Sequence, residues 1–133
     1  ASFSGLLAPV TVAHIHCCVA PPGNVGVAIH PGTFPGFPAG VMSGFYPVTN
    51  FDLTESTNFT PGFLAANGGT AAGAKAGLAA GLASGQAYFN IHTSQFPGGE
   101  IRGFFAPVPE PSTIVLAGAG LLALGMIRRR RRT

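Results

Sequence analysis

The segment 86–105, QAYFNIHTSQFPGGEIRGFF, constrains the fold more than any other, because strand alternation, turn chemistry and clustered polar side chains coincide in it. Tyr88, Asn90 and His92 alternate with Phe89 and Ile91. Phe96-Pro97-Gly98-Gly99 interrupts the run, and Glu100, Arg102 and Phe104 then alternate with Ile101, Gly103 and Phe105. This pattern predicts an antiparallel β-hairpin. Pairing Ile91 with Ile101 sets Asn90 opposite Arg102 and His92 opposite Glu100. Side chains alternate faces with period 2, so that register buries Phe89, Ile91, Ile101 and Phe105 on one side. It gathers Tyr88, Asn90, His92, Glu100 and Arg102 on the other.

A second strand is expected over Val10–His16, VTVAHIH, where His14 and His16 share a face and Cys17 points the opposite way. Val25–Ile29 reads as a short apolar strand ended by His30-Pro31-Gly32, with His30 a loop histidine. Residues 33–47 hold too many prolines for a central strand and read as a long loop carrying aromatic plugs. In residues 70–83, TAAGAKAGLAAGLA, Thr70 is the expected N-cap of an Ala-rich helix. Its Gly73, Gly77 and Gly81 recur on one face and suit close packing on a sheet. Cys17 and Cys18 are neighbours, and Cα atoms about 3.8 Å apart lie below the usual span of a disulfide, so these cysteines leave the redox compartment open.

Charge divides the chain. Five of the seven cations are Arg128, Arg129, Arg130, Arg131 and Arg132, and residues 1–127 hold Lys75 and Arg102 against Asp52, Glu55, Glu100 and Glu110. The formal +3 therefore describes a terminal anchor, and nucleic-acid binding is excluded because it needs basic residues spread over the fold. Ahead of the arginines, residues 112–127 carry no charge. They read as a short transmembrane segment, since a span usually needs about 17–25 residues, with residues 128–133 as a basic cytoplasmic tail. Residues 107–111, containing Pro109-Glu110-Pro111, form a stiff extended linker.

Two resemblances attach to these motifs. Pro109-Glu110-Pro111 with Ser112-Thr113, the apolar stretch and the arginine cluster resemble the PEP-CTERM sorting signal. That resemblance implies an exosortase-type sorting enzyme as partner. It also implies anchoring in the bacterial inner membrane with the domain on the periplasmic side, then processing and release to the cell surface or an exopolysaccharide matrix. Ala13-His14-Ile15-His16, Tyr88-Phe89-Asn90-Ile91-His92-Thr93 and Pro97-Gly98-Gly99-Glu100-Ile101-Arg102-Gly103 resemble the CHRD family. The resemblance implies a mainly β domain over residues 1–106, an antiparallel sheet or sandwich, with one Ala/Gly-rich helix and a C-terminal transmembrane helix beyond it. Only thirteen residues precede the His-Ile-His motif, so the resemblance also implies that N-terminal strands are missing.

Two readings of the histidines stay open. If the strand holding His14 and His16 borders the one holding His92, three imidazoles converge in a set that suits Cu or Zn, with Glu100 and Asn90 behind them. Otherwise they form a buried polar network with Glu100, Asn90 and backbone. No nucleophile motif, phosphate loop or dinucleotide fingerprint is present, so the expected product is a non-enzymatic extracytoplasmic module.

The tail reading predicts a specific fate for the C-terminus. In a host carrying an exosortase, a chain tagged at both ends should shed its C-terminal tag near residues 107–111. Persistence of the doubly tagged chain in the membrane would identify a plain anchor instead.

Overall fold

The computed structural model describes residues 1–49 and 51–106. The linker, transmembrane segment, sorting motif and basic tail expected over 107–133 lie outside the described residues. Among the described residues, no helix is long and apolar enough to cross a membrane.

Among the described residues, six strands and two α-helices follow in order, with a 3-10 turn at Ser56–Asn58 ahead of the helices: β1 (Ser2–Phe3), β2 (Val10–Cys17), β3 (Val27–Ile29), β4 (Gly44–Phe45), α1 (Pro61–Ala66), α2 (Ala71–Ala83), β5 (Ala87–Thr93) and β6 (Ile101–Phe104). The main sheet has the order β3-β2-β5-β6 and every pairing in it is antiparallel; β1 and β4 form a separate two-stranded sheet. The hairpin adopts the register that period-2 alternation predicts, with Ile91 opposite Ile101 and Asn90 opposite Arg102. β2 lies directly beside β5, placing His14 opposite Asn90, His16 opposite Tyr88 and Ala13 opposite Ile91.

That alternation creates two unlike faces. Ala13, Cys17, Ala87 and Ile91 belong to the apolar core, together with Ala74 and Leu78 of α2, Phe59, and Phe63 of α1. Phe34 and Phe37, from the proline-rich loop, are buried in the same cluster, with Phe34 stacked on Phe89 at 5.8 Å and Phe37 on Phe3 at 5.5 Å. Tyr46 joins them and donates its hydroxyl to Pro35 O at 2.8 Å, so the buried polar tip is satisfied. A second packed sheet of comparable size is therefore not what covers the apolar face; helices and an aromatic-bearing loop do. Ile101 departs from expectation and is 40% exposed. β6 is an edge strand, with no strand paired on its outer side among the described residues.

Both helices start on threonine caps. Thr60 Oγ1 accepts from Phe63 N at 3.3 Å, with Pro61 at the first helical position, and Thr70 Oγ1 accepts from Gly73 N at 3.1 Å. Alpha1 is an addition to the single helix expected from the sequence. Alpha2 ends in a Schellman motif: Gly85 takes φ +67°, its N–H reaches Leu82 O, and Gln86 N–H reaches Gly81 O. The three glycines of α2 do permit close approach, but not to the sheet alone. A Cβ at Gly73 or Gly77 would overlap Asn67 at the end of α1, and one at Gly81 would overlap the sulfurs of Cys17 and Cys18. Those two cysteines are bonded to each other, their Cα atoms 3.0 Å apart across a cis peptide. The adjacent pair that looked unsuited to bridging is thus joined, on the core face and away from the histidines.

Gly81→Ala should destabilise the domain by about 1–3 kcal/mol, the usual cost of overpacking. Gly62→Ala in α1, where a Cβ meets nothing within 4 Å, should be neutral or stabilise by up to about 1 kcal/mol through helix propensity. Thermal unfolding of both variants checks the contrast.

Candidate metal centre

The polar face of the β2–β5 pair collects His14, His16, Tyr88, Asn90 and His92. All five are buried, the three histidines to 7–8% residual exposure. Strand geometry brings them together, because His14 and His16 stand two residues apart on β2 opposite Asn90 and Tyr88 of β5, and His92 lies diagonal to His14. Ring centroids are 4.7 Å apart for His14–His92, 4.9 Å for His14–His16 and 6.0 Å for His16–His92. Three imidazoles on one tetrahedral ion would have centroids about 5 Å apart.

Each ring is held from behind by a backbone carbonyl. His14 Nδ1 lies 3.2 Å from Gly32 O, His16 Nδ1 2.6 Å from Val25 O, and His92 Nδ1 2.7 Å from Pro97 O. A carbonyl can only accept, so each Nδ1 carries the proton and each Nε2 presents a lone pair. With the three Nδ1 atoms committed to three separate carbonyls, the nitrogens free to converge are Nε2. One ligand nitrogen from each histidine lies within 4.8 Å of the other two. An ion bonded at 2.0–2.1 Å would draw them to about 3.4 Å, a rearrangement within the reach of side-chain torsions.

Nε2 of His14 and Nε2 of His16 are buried with no hydrogen-bond partner. The third, on His92, faces Asn90 Nδ2 at 3.1 Å. Burial above all, with a smaller contribution from the neighbouring His92 and His16 and against the opposing pull of the Gly32 carbonyl, lowers the pKa of His14 to about 4; burial likewise lowers that of His16. Both rings are therefore neutral at physiological pH, the form in which imidazole binds a metal.

Glu100, expected opposite His92 as a carboxylate behind the cluster, is engaged elsewhere. Its Oε1 accepts from Leu7 N at 2.6 Å and its Oε2 from Thr93 Oγ1 at 2.8 Å. The ladder explains this: Glu100 N–H bonds Ile91 O and the residue precedes β6, where its side chain ties the hairpin to the N-terminal segment. Asn90 does contact the cluster, though at the Nε2 of His92 and not behind it. His30 lies outside the group, its ring against Phe34 and Phe51.

Sequence reasoning missed the supports. Tyr88 stacks on His16 at 4.7 Å with planes 6° apart, and its hydroxyl lies 3.3 Å from the Val25 carbonyl that also receives His16 Nδ1. Arg102 sits over Tyr88 at 5.2 Å and donates to Pro22 O, Gly23 O and Asn24 Oδ1. It thereby fastens the loop that supplies Val25. Carbonyl partners carry no residue-type signal, but His92-to-Pro97 spacing across a tight turn could have suggested one of them.

An antiparallel β-domain that presents three pre-oriented imidazoles on one sheet face is the class defined by fold and site. The chain belongs to the CHRD domain family, whose model matches residues 1–105. The PEP-CTERM protein-sorting motif matches residues 107–132, the kind of signal recognised by exosortase-type enzymes, and it implies membrane-anchored sorting toward the cell surface. No curated protein and no solved structure matches the chain.

Gly99 takes φ +110° beneath Asn90, and a Cβ there would overlap the Asn90 amide. Gly99→Ala should destabilise by about 1–3 kcal/mol and perturb the side-chain amide resonances of Asn90. Gly98→Ala, in open space, should do neither.

Proposed function

We propose that this chain is a secreted CHRD module, sorted to the bacterial cell surface or exopolysaccharide matrix, whose domain binds one Cu or Zn ion through Nε2 of His14, His16 and His92. The observation that carries the metal reading is the pair of orphaned lone pairs on His14 and His16, buried and aimed away from their carbonyl-bound Nδ1 atoms. An unmatched buried acceptor costs about 1–3 kcal/mol. A cluster serving structure alone would be expected to engage these atoms, whereas a metal uses them directly. Backbone carbonyls on the opposite ring nitrogens are the support that metal-binding histidines usually have.

The domain acts as a binding module and not as an enzyme. Export rests on the sorting motif at residues 107–132. Pro109, Glu110 and Pro111 would be the recognition sequence, and Arg128–Arg132 would hold the inner-membrane anchor on its cytoplasmic side before processing, leaving the domain periplasmic.

Purified full-length protein, stripped and dialysed against Cu(II) or Zn(II), should retain one equivalent. Loading at about one hundred times Kd should stabilise the fold by about 2.7 kcal/mol. His14→Ala and His92→Ala should each abolish retention. Equal metal content in these variants and the parent would reject the site.

A further inference from the structure

The histidine cluster adjoins a polar cleft of about 250 Å³, lined in part by Asn24, Asn90, Gly99, Glu100 and Arg102. Asn90 belongs to both. The residue is 4% exposed, lines the cleft, and places Nδ2 3.1 Å from His92 Nε2. We infer that the bound ion keeps an open position facing this cleft, that the position takes a small monovalent anion, and that the Asn90 amide holds that anion by a hydrogen bond. This inference rests on the metal reading above and adds the identity of the ion's remaining ligand.

Charge is the first argument. Three neutral imidazoles bring no negative charge to a divalent ion, and a buried charge is costly unless it is compensated. Glu100 is the acid lining the cleft, and both of its oxygens are already engaged by Leu7 N–H and the Thr93 hydroxyl. Arg102 adds a cation whose partners, Pro22 O, Gly23 O and Asn24 Oδ1, are all neutral. With an ion in place the region is net positive, and an anion entering from the cleft offsets that charge.

Hydrogen-bond satisfaction is the second. Coordination consumes the His92 lone pair, so the Asn90 N–H loses its present acceptor at the moment the metal binds. Its other near acceptor, Gly98 O, is at 3.4 Å. Gly99 lacks the Cβ that would collide with this amide, so the backbone is shaped around it. An anion that coordinates through one atom and accepts through another would satisfy metal and amide together.

The test uses the full chain loaded with Cu(II) in an azide-free buffer and titrated with azide. Charge-transfer absorption and copper electron paramagnetic resonance are followed, and copper content and thermal midpoint are measured alongside. Saturable azide binding is expected, weakened at least tenfold in Asn90→Ala at equal copper content. Asn90→Asp keeps the side chain's shape but replaces the donor with negative charge, and it should abolish azide binding while retaining copper. If copper binds and azide changes neither signal, this inference falls and the metal site stands. Parental azide affinity in either variant would overturn the role of Asn90. Failure to bind copper would overturn both the site and the inference.

Discussion

The antiparallel ladder between β2 and β5 is the constraint on which the rest depends. Its register sets His14 against Asn90 and His16 against Tyr88 on one face while Ala13 and Ile91 meet on the other. A slip of β2 by one residue would turn that strand over, driving His14 and His16 into a core of Phe34, Phe59 and Leu78 and parting them from His92. The apolar side thus secures the polar side: helix, aromatic loop and disulfide pack where they do because the histidines cannot be there. Register is in turn pinned from both neighbours, by Ile91–Ile101 pairing with β6 and by Ile15–Ile29 pairing with β3.

Around that ladder, loops supply what the strands lack. Val25, Gly32 and Pro97 come from three separate connections, yet each offers a carbonyl to one Nδ1. Their combined effect is chemical as well as positional, since they select the tautomer with its lone pair on Nε2 and oppose ring rotation. Tyr88 and Arg102 extend the support outward from His16 by stacking, so the least exposed aromatic of the sheet and its neighbouring cation brace one imidazole. On that buried face Nε2 of His14 and Nε2 of His16 are left without a hydrogen-bond partner.

Much of this was legible in the chain. Period-2 alternation announced the hairpin register and the shared face of His14 and His16, and Thr70 marked the start of α2, three residues before Gly73 packs against Asn67. What escaped notice depended on tertiary neighbours. Glu100 looked like a partner for His92 because parity put it opposite, but Leu7 and Thr93 compete for its oxygens, and Leu7 is ninety-three residues away in sequence. Ile101 alternated like a core residue, yet burial requires a covering element and β6 is at the edge. Cys17 and Cys18, whose Cα separation lies below the usual disulfide span, are nevertheless bonded to each other.

The central claim is that three Nδ1 protons are held by backbone, leaving three Nε2 lone pairs free to converge. Long-range proton–nitrogen correlation spectra of the imidazoles in metal-free protein at neutral pH test it directly. The account predicts the Nδ1–H tautomer for His14, His16 and His92 alike, with their Nε2 resonances moving together on addition of one equivalent of zinc. Observation of the Nε2–H tautomer at any of the three, or a zinc response confined to a single ring, would contradict it.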